Sequence, residues 1–210
     1  MSYDAFASTF SESRKNLRWG EIEYFMEYIK NHSSGKISIL DVGCGNGRFL
    51  ETLETSGLPY SYIGIDESSG MIHEARKLHP ENVFKVLDMN HMGELSRNSY
   101  QFIVFIASFH HLHTKEERKE VLLKAKKLLS PGGIIMMTNW NLMGGTLFSK
   151  YEKNYEWNGN FGIKIGAHNR YYHGFVLEEL KSLFRESGFA IIENRVFENE
   201  KNIVSLIKSE

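Results

Sequence analysis

The chain has 210 residues, 41% hydrophobic and 24% charged, with 25 Lys plus Arg against 26 Asp plus Glu. That length supports one domain over 1–210 with ample material for a core, and the near-neutral balance gives no electrostatic case for autonomous nucleic-acid binding. One cysteine, Cys44, excludes an internal disulfide and fits a reducing, cytoplasmic setting. No apolar run is long enough to span a membrane. The start of the chain lacks the basic-then-apolar pattern of a signal peptide.

Residues 1–30 read as two helical pieces, carried by Tyr3, Phe6, Ala7 and Phe10 and then by Ile22, Phe25, Met26 and Ile29. The polar, basic stretch from Ser11 to Trp19 between them is either a solvated loop or part of a lid. Ile37 to Val42 is rich in branched apolar residues, the pattern of a buried strand. Gly43, Gly45 and Gly47 follow at alternate positions, then Phe49, Leu50 and Leu53 at helical spacing. A strand, a tight glycine turn and a helix start make a nucleotide site, because glycines admit close backbone approach and the helix start offers unpaired N–H groups. The helix from about Asn46 stops at Gly57-Leu58-Pro59.

Tyr62 to Ile65 is a second strand ending at Asp66-Glu67. Asp66 lies 23 residues past Gly43, the register at which a carboxylate accepts hydrogen bonds from ribose hydroxyls. Met71, Ile72, Ala75 and Leu78 form the next helical face, closed by Pro80. Val83 to Leu87 is a third strand ending at Asp88-Met89, where an acid also starts turns for local reasons. Phe102 to Ala107 is apolar throughout, as in a central parallel strand. Ser108-Phe109-His110-His111-Leu112-His113 follows its carboxyl end, where ligands bind in open α/β sheets. Without Cys or acidic neighbours these histidines give no metal signature, so no metal is expected; one facing a substrate, with the others structural, fits better.

Thr114 to Glu117 is a capping box opening a helix striped by Val121, Leu122, Ala125, Leu128 and Leu129, with its basic residues mostly facing solvent. Ser130-Pro131-Gly132-Gly133 ends it, and Ile134 to Thr138 is the fifth strand. Residues 139–175 break the rhythm and read as an irregular, aromatic-rich cap. A helix over Val176 to Phe184, stopped by Gly188, and two strands, Phe189 to Phe197 and Asn202 to Ile207, complete the chain.

Asp41-x-Gly43-x-Gly45-x-Gly47 resembles the first motif of the class I S-adenosylmethionine (SAM) methyltransferases. The L-x-P-G-G before the fifth strand and the terminal β-hairpin are similar to that family too, from about Ile37 to Lys208. The resemblance implies an α/β, Rossmann-like three-layer sandwich whose seven-stranded sheet is mostly parallel with an antiparallel last strand. It implies SAM as cofactor, yielding S-adenosylhomocysteine, held by Tyr3, Asp41, Gly43, Cys44, Gly45, Gly47, Asp66, Glu67, Asp88, Met89 and Ala107. Asp88 would bind the adenine amino group.

A narrower resemblance lies in Tyr3-Asp4-x-Phe6-Ala7-x-x-Phe10-Ser11-x-Ser13-Arg14, in His110-His111-Leu112 and in Arg170-Tyr171-Tyr172-His173. These are similar to the tRNA wobble-uridine carboxymethyl methyltransferases. That likeness implies Arg14, His110 and Arg170 as catalytic residues, with Trp19, His111, Tyr172 and His173 around the substrate. The partners it implies are tRNA and a small activator protein, with no DNA or membrane. A carboxylate acceptor needs no general base and could be oriented by arginines, whereas a protonated oxygen or nitrogen would suit a histidine base. A small-molecule O- or N-methyltransferase and a non-catalytic SAM-binding protein are the alternatives.

Overall fold

The computed structural model describes residues 19–97, 99–165 and 168–210. The first expected helical piece, with Tyr3, and the polar stretch as far as residue 18, with Arg14, lie outside the described residues. Helix α1 (Gly20–His32) precedes β1 (Ile37–Val42), α2 (Arg48–Glu54), β2 (Tyr60–Asp66), α3 (Ser69–Leu78) and β3 (Val83–Val86). Then come β4 (Tyr100–Ile106), α4 (Lys115–Leu128), β5 (Leu129–Trp140), α5 (Gly145–Tyr151), β6 (Asn160–Ile165), β7 (His168–His173), α6 (Leu177–Glu186), β8 (Phe189–Val196) and β9 (Asn202–Ser209).

Seven strands form one sheet in the order β3-β2-β1-β4-β5-β9-β8. β1 to β5 pair in parallel, and β9 runs antiparallel between β5 and β8. The central strands are apolar on both faces because both faces are covered. Alternation divides each strand: Ile103 and Phe105 of β4 pack with Val121 and Leu122 of α4 and Phe184 of α6. Phe102 and Val104 face the other way, toward Ile22 and Phe25 of α1, Phe49 of α2 and Ile72 of α3. Burying each such side chain contributes about 1.5–3 kcal/mol. The capping box at Thr114 and Glu117 is formed as expected.

Four local readings need correction. The strand expected over Ile134 to Thr138 runs from Leu129 to Trp140, and its Pro-Gly-Gly interruption appears as a register shift opposite Tyr100 and Phe102. The described residues of 139–175 are not irregular: α5 is followed by an antiparallel ribbon of β6 and β7 over a small core of Leu142, Phe161, Ile163 and Tyr172. Leu78 is 46% exposed rather than packed. Arg118, expected among solvent-facing cations, is 4% exposed, because it sits three and four residues before Val121 and Leu122 on the buried stripe.

β1 and β4 are neighbours although two strands separate them in sequence, so the order reverses there. That switch point brings the carboxyl ends of β1, β2 and β4 to one edge of the sheet, where a crevice opens.

Candidate active site

The turn after β1 is built from left-handed glycines, with φ of 71° at Gly43, 56° at Gly45 and 88° at Gly47. A side chain at Gly43 would place its Cβ 2.4 Å from the Cβ of Ser108, so the β1 and β4 turns touch backbone to side chain. Ser108 donates from Oγ to the Val42 carbonyl at 2.6 Å, locking the two turns together. Gly47 is the N-cap of α2, where a Cβ would meet His79 at 2.8 Å. Its work is to enter the helix, and it does not border the cavity.

Three acids stand on this edge. Asp66 accepts from the Gly45 N–H and the Ser68 N–H, each at 2.9 Å. Burial pushes its pKa up to about 6 against those two bonds. Each carboxylate oxygen keeps a further lone pair. Asp88 accepts from the Asn90 N–H at 2.7 Å, so it starts a local 3-10 turn while also bordering the cavity. Asp41 accepts from the Tyr62 hydroxyl at 2.8 Å through Oδ2, and its buried Oδ1 has no partner among the described residues. Burial raises Asp41 to about 7.

The crevice is a cavity of about 540 Å³, a volume suited to a cofactor or small ligand. It is lined by Asp41, Gly43, Cys44, Gly45, Asp66, Glu67, Asp88 and Met89. Trp19, Ala107, His110, His111, Arg170 and Tyr172 border it as well, with Arg170 near enough to Asp66 to act on its carboxylate. Arg48 lies over the Trp19 ring at 4.7 Å, fixing that end of α1 against the glycine turn. Ala107 has φ 52°, a conformation held by its N–H bonding both the Oγ1 (2.9 Å) and the carbonyl (3.1 Å) of Thr138. The Cys44 thiol is buried and pushed well above its usual pKa, so it packs rather than reacts.

The histidines divide by role. His110 is fully buried, and its Nδ1 accepts from the Trp140 backbone N–H at 3.1 Å. Its ring lies 5.8 Å from Trp140 and 5.3 Å from Tyr172, two rings that stack on each other at 4.8 Å. His111 donates from Nδ1 to the Tyr171 carbonyl at 3.0 Å. Burial lowers His111 to about 4 and His110 well below the ordinary range, so both rings are neutral at pH 7. His173 does not reach the cavity. It is 4% exposed and bonds Glu179 at 2.7 Å and Asn160 at 3.2 Å, a tie between the ribbon and α6. Strand alternation turns its side chain to the face of β7 opposite Tyr172, and its bonds to Glu179 and Asn160 hold it there.

Sequence reasoning missed the clamp that sets this wall. Arg118 donates to the Leu112 carbonyl at 3.0 and 3.2 Å, to the His113 carbonyl at 3.3 Å and to the Tyr171 hydroxyl at 3.1 Å. It also sits 3.6 Å from Glu179 and 5.2 Å from the Phe175 ring. Its place on the apolar stripe of α4 was the available signal. Among the described residues no group of three His, Cys, Asp or Glu is arranged to hold a metal.

A family model described as a methyltransferase domain matches residues 12–194. The chain is a SAM-dependent methyltransferase. A tRNA (carboxymethyluridine(34)-5-O)-methyltransferase of Saccharomyces cerevisiae is 33% identical over 158 residues, 73% of this chain and 52% of that protein. The chain thus spans about half of that relative's length. A putative methyltransferase of Encephalitozoon cuniculi is 26% identical over 200 residues, covering 91% of this chain and 87% of the relative. The fold matches a putative methyltransferase solved in complex with the Haloferax volcanii Trm112 methyltransferase activator, with a TM-score of 0.76 and 14% identity over 99% of this chain and 96% of that one.

The residues present fit SAM. The orphaned Asp41 Oδ1 suits an ammonium or N–H donor, the left-handed glycines admit close approach, and Asp66 retains acceptor capacity for hydroxyls. Asp66→Ala is expected to weaken SAM binding by about 1.5–3 kcal/mol per lost bond, read by calorimetry; unchanged affinity would remove Asp66 from the cofactor site.

The raised acids and lowered histidines also pull stability in opposite directions. Below about pH 6.5 the unfolded chain takes up protons that His110 and His111 refuse when folded, so they cost stability on acidification. Asp41 and Asp66 hold protons in the folded state above the ordinary carboxylate range, so they gain stability as pH falls through about 7 and 6. Asp41→Asn removes one of the two gains. Its stability relative to the parent is expected to rise with pH between 5 and 8 in urea titrations; a pH-independent difference would contradict the buried, proton-binding Asp41.

Proposed function

We propose that the chain transfers the methyl group of SAM to the carboxylate of a carboxymethyl-type uridine at the wobble position of tRNA. The observation that carries this reading is the composition of the cavity's lining: Arg170, two neutral histidines and stacked aromatics share one cavity with the glycine turn. The 33% identity to the yeast carboxymethyluridine methyltransferase supports it. SAM supplies an already activated methyl group, so the protein's task is alignment. Trp140 and Tyr172 shield the acceptor from water. Arg170 orients an anionic acceptor, a role that the family resemblance extends to Arg14, and Trp19, His111 and Tyr172 bound the space it occupies. A small activator protein belongs to this reading; the structural neighbour described above was solved together with a methyltransferase activator.

The near-neutral charge of the chain favours a second reading, a small-molecule methyltransferase of the same fold. Methyl-labelled SAM incubated with fractionated RNA and metabolites separates the two: label in the tRNA fraction supports the first, and label confined to metabolites refutes it. Arg170→Lys is expected to keep SAM affinity and lose roughly tenfold or more in transfer rate, because a point charge cannot replace a planar fork. Transfer at the parent rate would remove Arg170 from the acceptor site.

A further inference from the structure

The most exposed large apolar side chain among the described residues is Trp157, at 62%, and Tyr155, two positions before it, is 43% exposed. Trp157 takes no part in the buried clusters of the fold, yet the chain holds it on a rigid turn. Tyr155 bridges Phe161 of β6 in the antiparallel sense. The Glu156 N–H donates to the Asn160 carbonyl at 2.8 Å, and the Asn160 N–H closes the turn onto the Trp157 carbonyl at 2.9 Å. Asn158 and Gly159 take φ of 48° and 80°, the paired left-handed conformations of a tight hairpin. The Gly159 carbonyl accepts from the Gly174 N–H at 2.7 Å, which ties the turn to the chain beyond β7. These rings lead toward the cavity. Directly opposed residues of neighbouring strands turn their side chains to one face, so Tyr155, Phe161 and Tyr172 form one row across the ribbon. Tyr155 and Phe161 meet edge to face at 5.4 Å, and Tyr172 borders the cavity. Two strand spacings, about 10 Å, separate the exposed ring from the cavity wall. Trp157 follows Tyr155 on the same face by alternation. Two cations precede the hairpin: Lys150, over the Tyr151 ring at 4.9 Å, and Lys153. Both are exposed and make no ion pair among the described residues. Glu152 is exposed between them in sequence, whereas the Glu156 carboxylate is turned over Gly162, on the opposite face of the ribbon.

We propose that this hairpin is a stacking platform for the RNA base next to the methylated nucleotide, with Trp157 and Tyr155 as its faces and Lys150 and Lys153 toward the phosphates. The proposal rests on the tRNA reading above and adds a binding surface to it. Every base has a π-face, so aromatic rings hold single-stranded RNA without reading its sequence. A base that reacts in a pocket leaves its stack, and its neighbour is then left outside, at the distance where the hairpin stands. The near-neutral chain cannot hold RNA on phosphate contacts alone, and stacking supplies affinity that does not depend on net charge. Area favours bases over a protein. Two partly exposed rings, of about 150–250 Å² each when whole, fall well short of the roughly 800 Å² that a protein partner covers.

The test uses the full chain and a fluorescein-labelled anticodon stem-loop with uridine at its wobble position, with affinity read by anisotropy. Trp157→Ala is expected to weaken binding by on the order of 5–150-fold, the loss of one base stack, and Trp157→Phe to recover most of it. SAM affinity by calorimetry and the urea midpoint are expected to match the parent, because Trp157 lies outside both the cavity lining and the core. Lys153→Ala should reduce the salt slope of binding by about one. With tRNA bearing 5-carboxymethyluridine at position 34, Trp157→Ala should raise KM and leave kcat in place. Equal stem-loop affinity in the parent and Trp157→Ala overturns the platform and leaves the tRNA reading standing. A parent dimer in sedimentation that Trp157→Ala dissolves also overturns it, since a second copy would then cover the face. A parent that binds no stem-loop ends both readings. A stem-loop held through Trp157, with the modified tRNA left unmethylated, keeps the platform and ends the acceptor assignment.

Discussion

Gly43→Ala is expected to reduce SAM affinity by on the order of 100-fold or more, since strain and overpacking together reach several kcal/mol. Two effects combine at this position. Its φ of 71° is a left-handed conformation that costs a non-glycine residue about 1–2 kcal/mol. The new Cβ would also fall 2.4 Å from Ser108, whose hydroxyl is tied to Val42 and cannot retreat without releasing the β4 turn. The control is Gly57→Ala, at φ 76° with nothing within 4 Å of the added methyl. It bears the backbone strain alone and should leave SAM affinity unchanged. Calorimetry on both variants reads the difference, and equal affinities would show that the contact between the two turns does not shape the cofactor site.

Arg118→Ala is expected to destabilise the protein by about 3–5 kcal/mol, the scale of stripping one partner from a buried charged network. The substitution strips the buried Leu112 carbonyl of its side-chain donors, removes one of the donors to the His113 carbonyl and a donor to Tyr171, and takes the guanidinium from beside Glu179. Lys127 on the same helix is exposed, and Lys127→Ala should stay within about 0.5 kcal/mol. Urea midpoints at a common slope measure both. Because Tyr171 also holds His111 through its carbonyl, transfer should fall in Arg118→Ala even where the protein remains folded. A loss in Arg118→Ala no larger than in Lys127→Ala would mean that the ribbon is held by its apolar core alone.

The contrast between Arg118 and Lys127 also marks how much is legible in the sequence. Strands β1 and β4 stand out because a central parallel strand is apolar on both faces, and Asp66 stands out because its register to the glycine turn is nearly fixed by the length of one helix and one strand. The ribbon of β6 and β7 does not, although Phe161, Ile163 and Ile165 alternate. Three alternating positions among glycines and polar residues are too short a pattern to tell a strand from a loop. Adjacency in sequence groups His173 with Tyr172, yet adjacent strand residues face opposite sides, and only Tyr172 turns to the cavity. Residue order leaves His110 and His111 between base and bystander, because a histidine's tautomer is set by partners 30 and 60 residues away in the chain. The acids at the strand ends are readable as a set; the clamp behind the substrate wall is not, since it joins α4, the ribbon and α6 only in three dimensions.

Methyl transfer to a carboxylate is tested most directly by the chemical identity of the transferred methyl. The full chain is incubated with methyl-labelled SAM and two tRNAs that differ only in carrying 5-carboxymethyluridine or plain uridine at position 34, with and without an added small activator protein. Label is expected on the first tRNA alone, released as methanol by mild base, as a methyl ester must be. Label on the plain-uridine tRNA, or label on either tRNA that resists mild base, would contradict carboxylate methylation.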